Sequence, residues 1–472
     1  MRKIIGRVEE IQILQKTYQS NKSEFVAVYG RRRVGKTFLI RSAFEDQFTF
    51  YITGIANVSL NRQLGHFYNT LQKKDKQTLY TQSNNWVKAF EDLSGLVEKS
   101  SDEKKVIFID ELPWFDTQKS GFIQALEHFW NSWASLRDDI ILVVCGSAAA
   151  WMINKLINNR GGLHNRTTKR IKVVPFKLKE CEHFLSDKNV VLDRYQIIQL
   201  YMVLGGIPYY WDEVSPEKSA MQNIEQICFT QNGLLRDEFT NLYRSLFKDF
   251  EKHLNIVNAL SQKNKGLSRD EILKITKMPN GGSLTRLLKE LEESGFIRKY
   301  NPFGKKAREG IYQLVDNFTN FYLKFMQDSE IEGFNWASMI DSPQYRAWSG
   351  YAFEQVCLYH LAEIKKKLGV SGVITTTSSW KSTKSEQGVQ IDLVIDRRDH
   401  VINICEMKYS INPFEIDKKY NLDLRNKVGI FRDETKTRKS VFLTMITTFG
   451  IKQNIHSLGL IQNSITMNDL FD

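Results

Sequence analysis

A chain of 472 residues exceeds what one ordinary hydrophobic core organises, so roughly two to four domains are expected. Its 42% hydrophobic and 25% charged content is normal for a folded, water-soluble chain, and the lack of any run of about eighteen apolar residues argues against a membrane span. The net charge of +12, from 66 Lys and Arg against 54 Asp and Glu, points to a polyanionic partner, nucleic acid first, with basic residues simply spread over several surfaces as the alternative that composition alone leaves open.

Residues 4–10 lead into a helical pattern through Ile11, Leu14 and Tyr18. Residues 25–29 form an apolar run of strand type. They enter Gly30-Arg31-Arg32-Arg33-Val34-Gly35-Lys36-Thr37, and an amphipathic run with Phe38, Leu39, Ile40 and Phe44 follows. Strand, G-x-x-x-x-G-K-T and helix in that order define a phosphate-binding loop. Glycines at 30 and 35 let successive N–H groups point at one place, and the helix dipole adds to it. Lys36 is placed to reach the β- and γ-phosphates of ATP, and the Thr37 hydroxyl to bind Mg²⁺.

A second strand is expected at 48–52 and helices at about 60–75 and 84–99. Residues 105–111 are then four apolar positions closing on Asp110 and Glu111. About 74 residues after the loop, this reads as the second nucleotide motif. Asp110 would hold the Mg²⁺ shell and Glu111 would act as general base toward water. A strand at 140–145 ends on Gly146-Ser147; Ser147 is either a γ-phosphate contact or an ordinary turn serine. Residues 160–166 form a glycine-rich basic loop before a fifth strand at 170–174. Arg166 is either an arginine finger, in cis or in trans, or a solvated arginine.

These residues, with Gly6-Arg7, Asn165-Arg166 and the later Gly205-Gly206-Ile207-Pro208-Tyr209-Tyr210, resemble the archaeal-type ATPase family. That family belongs to the signal-transduction branch of AAA+-like P-loop ATPases. The resemblance implies an α/β fold with a five-stranded parallel core and nucleotide at the strands' carboxyl ends. By its residues alone, 205–210 is a tight turn in which the glycines supply positive φ.

From about residue 248 the pattern is three helices and a hairpin. Ser268 and Glu271 form a capping box, Leu284, Leu287, Leu288 and Leu291 line one helix, and Gly295 ends it. Strands at 296–300 and 310–314 pair across a basic tip with Lys305, Lys306 and Arg308. This is the order of a winged helix-turn-helix, with Thr285, Arg286 and Lys289 as candidate DNA contacts and the tip lysines as backbone contacts. The competing reading is an internal regulatory module with solvated lysines. An aromatic-rich helix at 316–326 reads as a packing element.

In the last third, Glu354 lies on a helix and a polar Ser/Thr-rich loop follows. Asp392 and Glu406, 14 residues apart, then lie on two strands joined by a tight turn at 397–400. Two carboxylates at one end of a sheet suit Mg²⁺ or Mn²⁺, and Lys408 falls on the face of Glu406. The pattern resembles the PD-(D/E)XK signature of restriction-endonuclease-like nucleases, with Ile391 where a proline is usual. A basic helix with Lys418, Lys419 and Arg425 and a strand at 441–446 complete the sheet. The five scattered cysteines read as reduced thiols, and residues 1–7 lack a signal core, so a cytoplasmic protein is expected.

The resulting expectation is an ATPase domain over 1–175, a helical lid over 176–245, a winged helix over 246–328 and an α/β nuclease-like domain over 340–472. The function expected is an ATP-hydrolysing switch coupled to metal-dependent action on DNA. The alternative is a nucleotide-gated scaffold with an inactive nuclease fold. The expected partners are ATP and DNA with no membrane, and self-association is left open.

Overall fold

The computed structural model describes residues 4–158, 165–306, 309–327, 336–382, 384 and 388–472. Positions 160–164 of the expected 160–166 loop and tip residue Arg308 lie outside the described residues. The chain forms two compact units, 1–175 and 176–472.

The first unit is built on strands β1 (Glu24–Tyr29), β2 (Phe50–Thr53), β3 (Lys105–Asp110), β4 (Ile140–Gly146) and β5 (Lys169–Lys172). They form one parallel sheet in the order β2-β3-β4-β1-β5. β3 and β4 are buried at every position. Such continuous apolar runs fit strands covered by helices on both faces. β5, at the edge, buries only Ile171 and keeps Arg170 and Lys172 exposed, the polar blunting an edge strand needs. Helices Leu60–Lys74, Trp86–Glu98 and Phe122–Ser132 pack an aromatic core in which Phe122 meets Trp86 edge-on and stacks on Phe115 from the turn after β3.

The register places the site. Tyr29 lies opposite Gly146, and Ile109 opposite Val144. The loop after β1, the acids ending β3 and the serine after β4 therefore emerge side by side at the carboxyl edge.

The second unit begins with helices Leu178–Asp187, Arg194–Leu204 and Pro208–Trp211. The glycine pair at 205–206 does two different jobs. Gly205 has φ +58, while a Cβ on Gly206 would stand 1.9 Å from the Phe176 carbonyl oxygen. Only the first needs positive φ; the second is a close backbone approach, sealed by Phe176 N–H donating to the Gly206 carbonyl at 2.6 Å.

Helices Phe250–Ser261, Arg269–Thr276 and Gly282–Glu293 follow, with a three-stranded antiparallel sheet β6 (Leu267–Ser268), β7 (Ile297–Tyr300) and β8 (Ile311–Leu314) in the order β6-β8-β7. The Ser268–Glu271 capping box is formed. Arg286 is committed to Asp249 (2.9 Å) and Glu290 (3.0 Å).

The last sheet has five strands: β9 (Thr375–Lys381), β10 (Gln390–Arg397), β11 (Val401–Lys408), β12 (Ser440–Thr447) and β13 (Asn463–Thr466). Their order is β13-β12-β11-β10-β9, antiparallel at β9/β10 and β10/β11 and parallel elsewhere. β9 corrects the expected Ser/Thr-rich loop. Its residues are polar but suit a strand, and only Trp380 is buried; an edge strand pairs through its backbone and needs little apolar surface. Helix Lys418–Thr435 packs Leu424 and Phe431 on this sheet. All five cysteines are buried, free thiols.

Candidate functional site

The loop after β1 is held by geometry that glycine alone tolerates. Gly30 has φ +150, and a Cβ there would lie 2.2 Å from the Val173 carbonyl oxygen; Gly35 has φ +88 and caps helix Lys36–Ala43. Lys36 is buried, and its Nζ donates to the carbonyls of Gly30 (3.1 Å) and Arg31 (2.9 Å). The ammonium is thus folded over the mouth of the loop. Arg31 and Val34 are buried, Arg33 is half-buried, and Arg32 and Phe38 are exposed on the rim.

The Thr37 hydroxyl donates to Asp110 Oδ2 at 2.8 Å. Asp110 is buried at the end of β3, and its Oδ1 accepts the Glu111 N–H at 2.9 Å. Burial, followed by the Asp110 charge, pushes the neighbouring Cys145 thiol up, so it stays protonated beside the acid. Glu111 has φ +48. Ser147 meets it with its hydroxyl and its N–H. Oxygen donors of Thr37 and Asp110 at one point fit Mg²⁺, a hard cation that keeps few protein ligands. Arg166 is exposed.

One participant was missed as a site residue. Arg7 is buried, and its Nη2 donates to the Val34 carbonyl at 3.2 Å. Position 7 thereby braces the loop 27 residues on. The Gly6-Arg7 pair was visible in the sequence, but its contact was not.

The second candidate site lies on helix Pro343–Tyr359, β10 and β11. The β10–β11 ladder ends on the Leu393–Cys405 pair, and Asp392 and Glu406 follow it directly on the two strands. Each acid meets a lysine. Lys265, from the turn before β6, pairs closely with Asp392 and stands 3.9 Å from Glu354. Lys427 pairs with buried Glu406, whose Oε2 also accepts the Tyr420 hydroxyl at 3.2 Å. Lys408 lies over the Tyr420 ring at 5.1 Å. Burial, and then the Asp392 charge, push the Glu354 carboxyl up to about 7. Burial works against the Lys265 ammonium, but Glu354 and Asp392 outweigh it and raise its pKa.

Among the described residues no three His, Cys, Asp or Glu side chains gather as a ready-made metal cage. Glu406 is drawn instead to Lys427 and Tyr420. The Glu354–Asp392 pair still fits a hard divalent cation, since it already embraces the Lys265 ammonium as a stand-in cation and offers only carboxylate oxygens. Lys265 and Lys427 carried no local motif; both reach their acids through the fold.

A five-stranded parallel sheet with a glycine loop, a lysine and two acids at its carboxyl edge defines the first unit as a P-loop nucleotide-binding domain. Residues 4–214 match a family described as an ATPase domain predominantly from Archaea. The amino-terminal part of the chain is thus similar to archaeal-type P-loop ATPase domains. Over 433 residues the chain is 25% identical to Uncharacterized protein MJECL04 of Methanocaldococcus jannaschii, covering 90% of this chain and 91% of that one. The Walker-type ATPase PABY2304 of Pyrococcus abyssi is 17% identical with TM-score 0.49, over 68% of this chain and 96% of that one. The ORC2 protein of Aeropyrum pernix is 13% identical with TM-score 0.43, over 70% and 94%. No helix among the described residues is long and apolar enough to cross a membrane.

Proposed function

We propose that the chain is an ATP-hydrolysing switch whose second unit carries a restriction-endonuclease-like domain acting on DNA with a divalent metal. The observation that carries the ATPase part is the 2.8 Å Thr37–Asp110 hydrogen bond, which joins the phosphate loop to the acid of β3. The amides of 30–36 and Lys36 hold the β- and γ-phosphates. Thr37 and Asp110 would hold Mg²⁺, whose chemistry there would be to offset charge on the transferring phosphoryl group. Glu111 orients water and accepts its proton as the water oxygen attacks the γ-phosphorus and the bond to the β,γ-bridging oxygen breaks. Ser147 positions Glu111, and Arg166, exposed after the basic loop, adds charge as the finger.

In the second unit, residues 176–245 serve as the helical lid, 246–328 as a winged helix and 340–472 as the nuclease-like domain. Glu354, Asp392 and Glu406 supply carboxylates for Mg²⁺ or Mn²⁺, a metal that would polarise a backbone phosphate. Lys408 holds the attacking water. A second reading, a nucleotide-gated scaffold with an inactive nuclease fold, is favoured by the lysine partners of Asp392 and Glu406.

Two variants of the full chain test the assignment together. Lys36→Ala should abolish phosphate release from ATP. Asp392→Asn should leave it intact and remove any Mg²⁺- or Mn²⁺-dependent cutting of DNA. Phosphate release that survives in Lys36→Ala overturns the ATPase site, and absence of cutting by the wild type in every metal and nucleotide condition favours the scaffold.

A further inference from the structure

A cleft of about 780 Å³ lies between the small sheet β6-β8-β7 and the strands β9 and β10, with Glu354 and Asp392 on one wall and Lys265, Arg298 and Lys305 on the other. Lys265 crosses it to both acids. Its backbone does not reach over by chance. The Tyr300 hydroxyl donates to the Lys265 carbonyl at 2.7 Å, and Gln313 Nε2 donates to the Asn264 carbonyl at 2.8 Å. The hairpin that supplies Tyr300 and Gln313 is itself fastened beside the acids. Phe303 N–H donates to the Ser379 carbonyl at 2.7 Å, and the Tyr351 hydroxyl donates to the Leu314 carbonyl at 2.8 Å. The Phe303 ring meets Phe431 at 5.4 Å.

We propose that Lys265 is a built-in counter-cation that closes the Glu354–Asp392 pair to divalent metal, so that residues 246–328 form an autoinhibitory cover. The inference rests on the metal-site reading above. A metal ion needs the same oxygen lone pairs that the ammonium takes, and two cations within a few ångströms repel. Glu354, Asp392 and Glu406 are the charges facing Lys265 from the opposing helix and strands, and Gln390 Nε2 also donates to Asp392 Oδ1 at 3.2 Å. Metal entry therefore requires Lys265 to leave. Because the backbone carbonyls of Lys265 and Asn264 are tied to Tyr300 and Gln313, the ammonium stays within reach of the acids for as long as the hairpin is docked through the Phe303–Ser379 and Tyr351–Leu314 bonds. A DNA backbone competing for the basic wall of the cleft is the kind of partner that would favour that movement.

The test is Mn²⁺ binding to the full chain, without nucleotide and in a Thr37→Ala background, followed by the loss of the free-ion electron paramagnetic signal. Lys265→Ala and Lys265→Gln should each bind Mn²⁺ about tenfold or more tightly than the parent, by removal of a competing cation. Lys265→Arg should stay at the parent value, and adding Asp392→Asn to Lys265→Ala should remove the gain. Both neutral variants binding no more tightly than the parent, while Asp392→Asn abolishes binding, would overturn the cover and leave the metal site standing. Mn²⁺ binding that ignores Asp392→Asn in every background would overturn the metal site and the cover with it.

Discussion

Ser147 donates its hydroxyl to both carboxylate oxygens of Glu111, at 2.9 and 2.8 Å, and its N–H to one of them at 3.2 Å. The acid at the end of β3 is thereby gripped by the residue that follows β4, one strand over. The serine weighed in the sequence as a phosphate contact is in this conformation a clasp on the proposed general base. Glu111→Gln should keep ATP binding and lower turnover about 100-fold or more, the scale of a lost general base. Ser147→Ala should lower turnover about tenfold through poorer orientation. Nucleotide affinity by calorimetry and single-turnover phosphate release check both. Equal losses in the two variants would place Ser147 in direct contact with the reacting groups.

Gly35 and Gly206 separate strain from collision. A Cβ on Gly35 meets nothing within 4 Å, but its φ of +88 is unfavourable for any L side chain. Gly35→Ala would meet a strain of about 1–2 kcal/mol that the loop relieves by rearranging locally, so ATP binding should weaken with little change in unfolding temperature. A Cβ on Gly206 would stand 1.9 Å from the Phe176 carbonyl oxygen. Gly206→Ala should destabilise the second unit by about 3 kcal/mol, as overpacking does, with ATP binding spared. Thermal unfolding and nucleotide titration of the same two variants decide it.

What could be read beforehand follows the range of the interactions. The phosphate loop, Asp110 and Glu111 were legible because each depends on a few consecutive residues and on the strand just before them. The order of three helices and a hairpin came through for the same reason: caps, glycine ends and leucine spacing are local. β9 was not legible, because its Thr/Ser run pairs as an edge by backbone bonds alone and shows no apolar alternation. Lys265 was invisible for a different cause. It meets Asp392 from 127 residues away, and nothing near position 265 marks it as anything but a turn lysine. The Arg7 brace on Val34 and the Lys427 brace on Glu406 belong to the same class of long-range polar pairing. Such pairs are set by tertiary packing, and sequence pattern carries no trace of them.

His360 makes the second unit sensitive to acid. It is fully buried; Nε2 accepts the Leu178 N–H at 3.0 Å and Nδ1 bonds the Val356 carbonyl at 2.7 Å, so the ring is neutral with Nδ1–H donating. Leu178 opens a helix, and its N–H is one that no helical carbonyl serves. Burial pushes the His360 pKa down to about 4, against the opposing pull of the Val356 carbonyl. The unfolded chain takes up a proton near pH 6.5, and the folded one resists until about 4. Stability is thus full above pH 6.5 and falls as pH drops toward 4, by about 1.4 kcal/mol per pH unit. Between pH 7.5 and pH 5 the wild type should lose about 2 kcal/mol that His360→Gln does not lose, although the variant starts lower at pH 7.5. Urea midpoints at the two pH values give the comparison, and an equal acid loss in both proteins would remove His360 from the account.

Lys427 and Glu406 test whether the second carboxylate site carries a structural charge. Glu406 is 6% exposed and is held by Lys427 and by the Tyr420 hydroxyl. Burial, then the charge on Glu406, push the Tyr420 phenol well up, so the hydroxyl remains a donor at any working pH. Removing Lys427 leaves a buried carboxylate with its ammonium gone, and Lys427→Ala should cost about 3 kcal/mol. Glu406→Gln removes the charge while keeping an acceptor for Tyr420, so the pair Glu406→Gln with Lys427→Ala should recover a large part of that loss. Unfolding in urea, read for the single and double variants, measures the coupling. If the losses simply add, Glu406 does not depend on Lys427 for charge compensation.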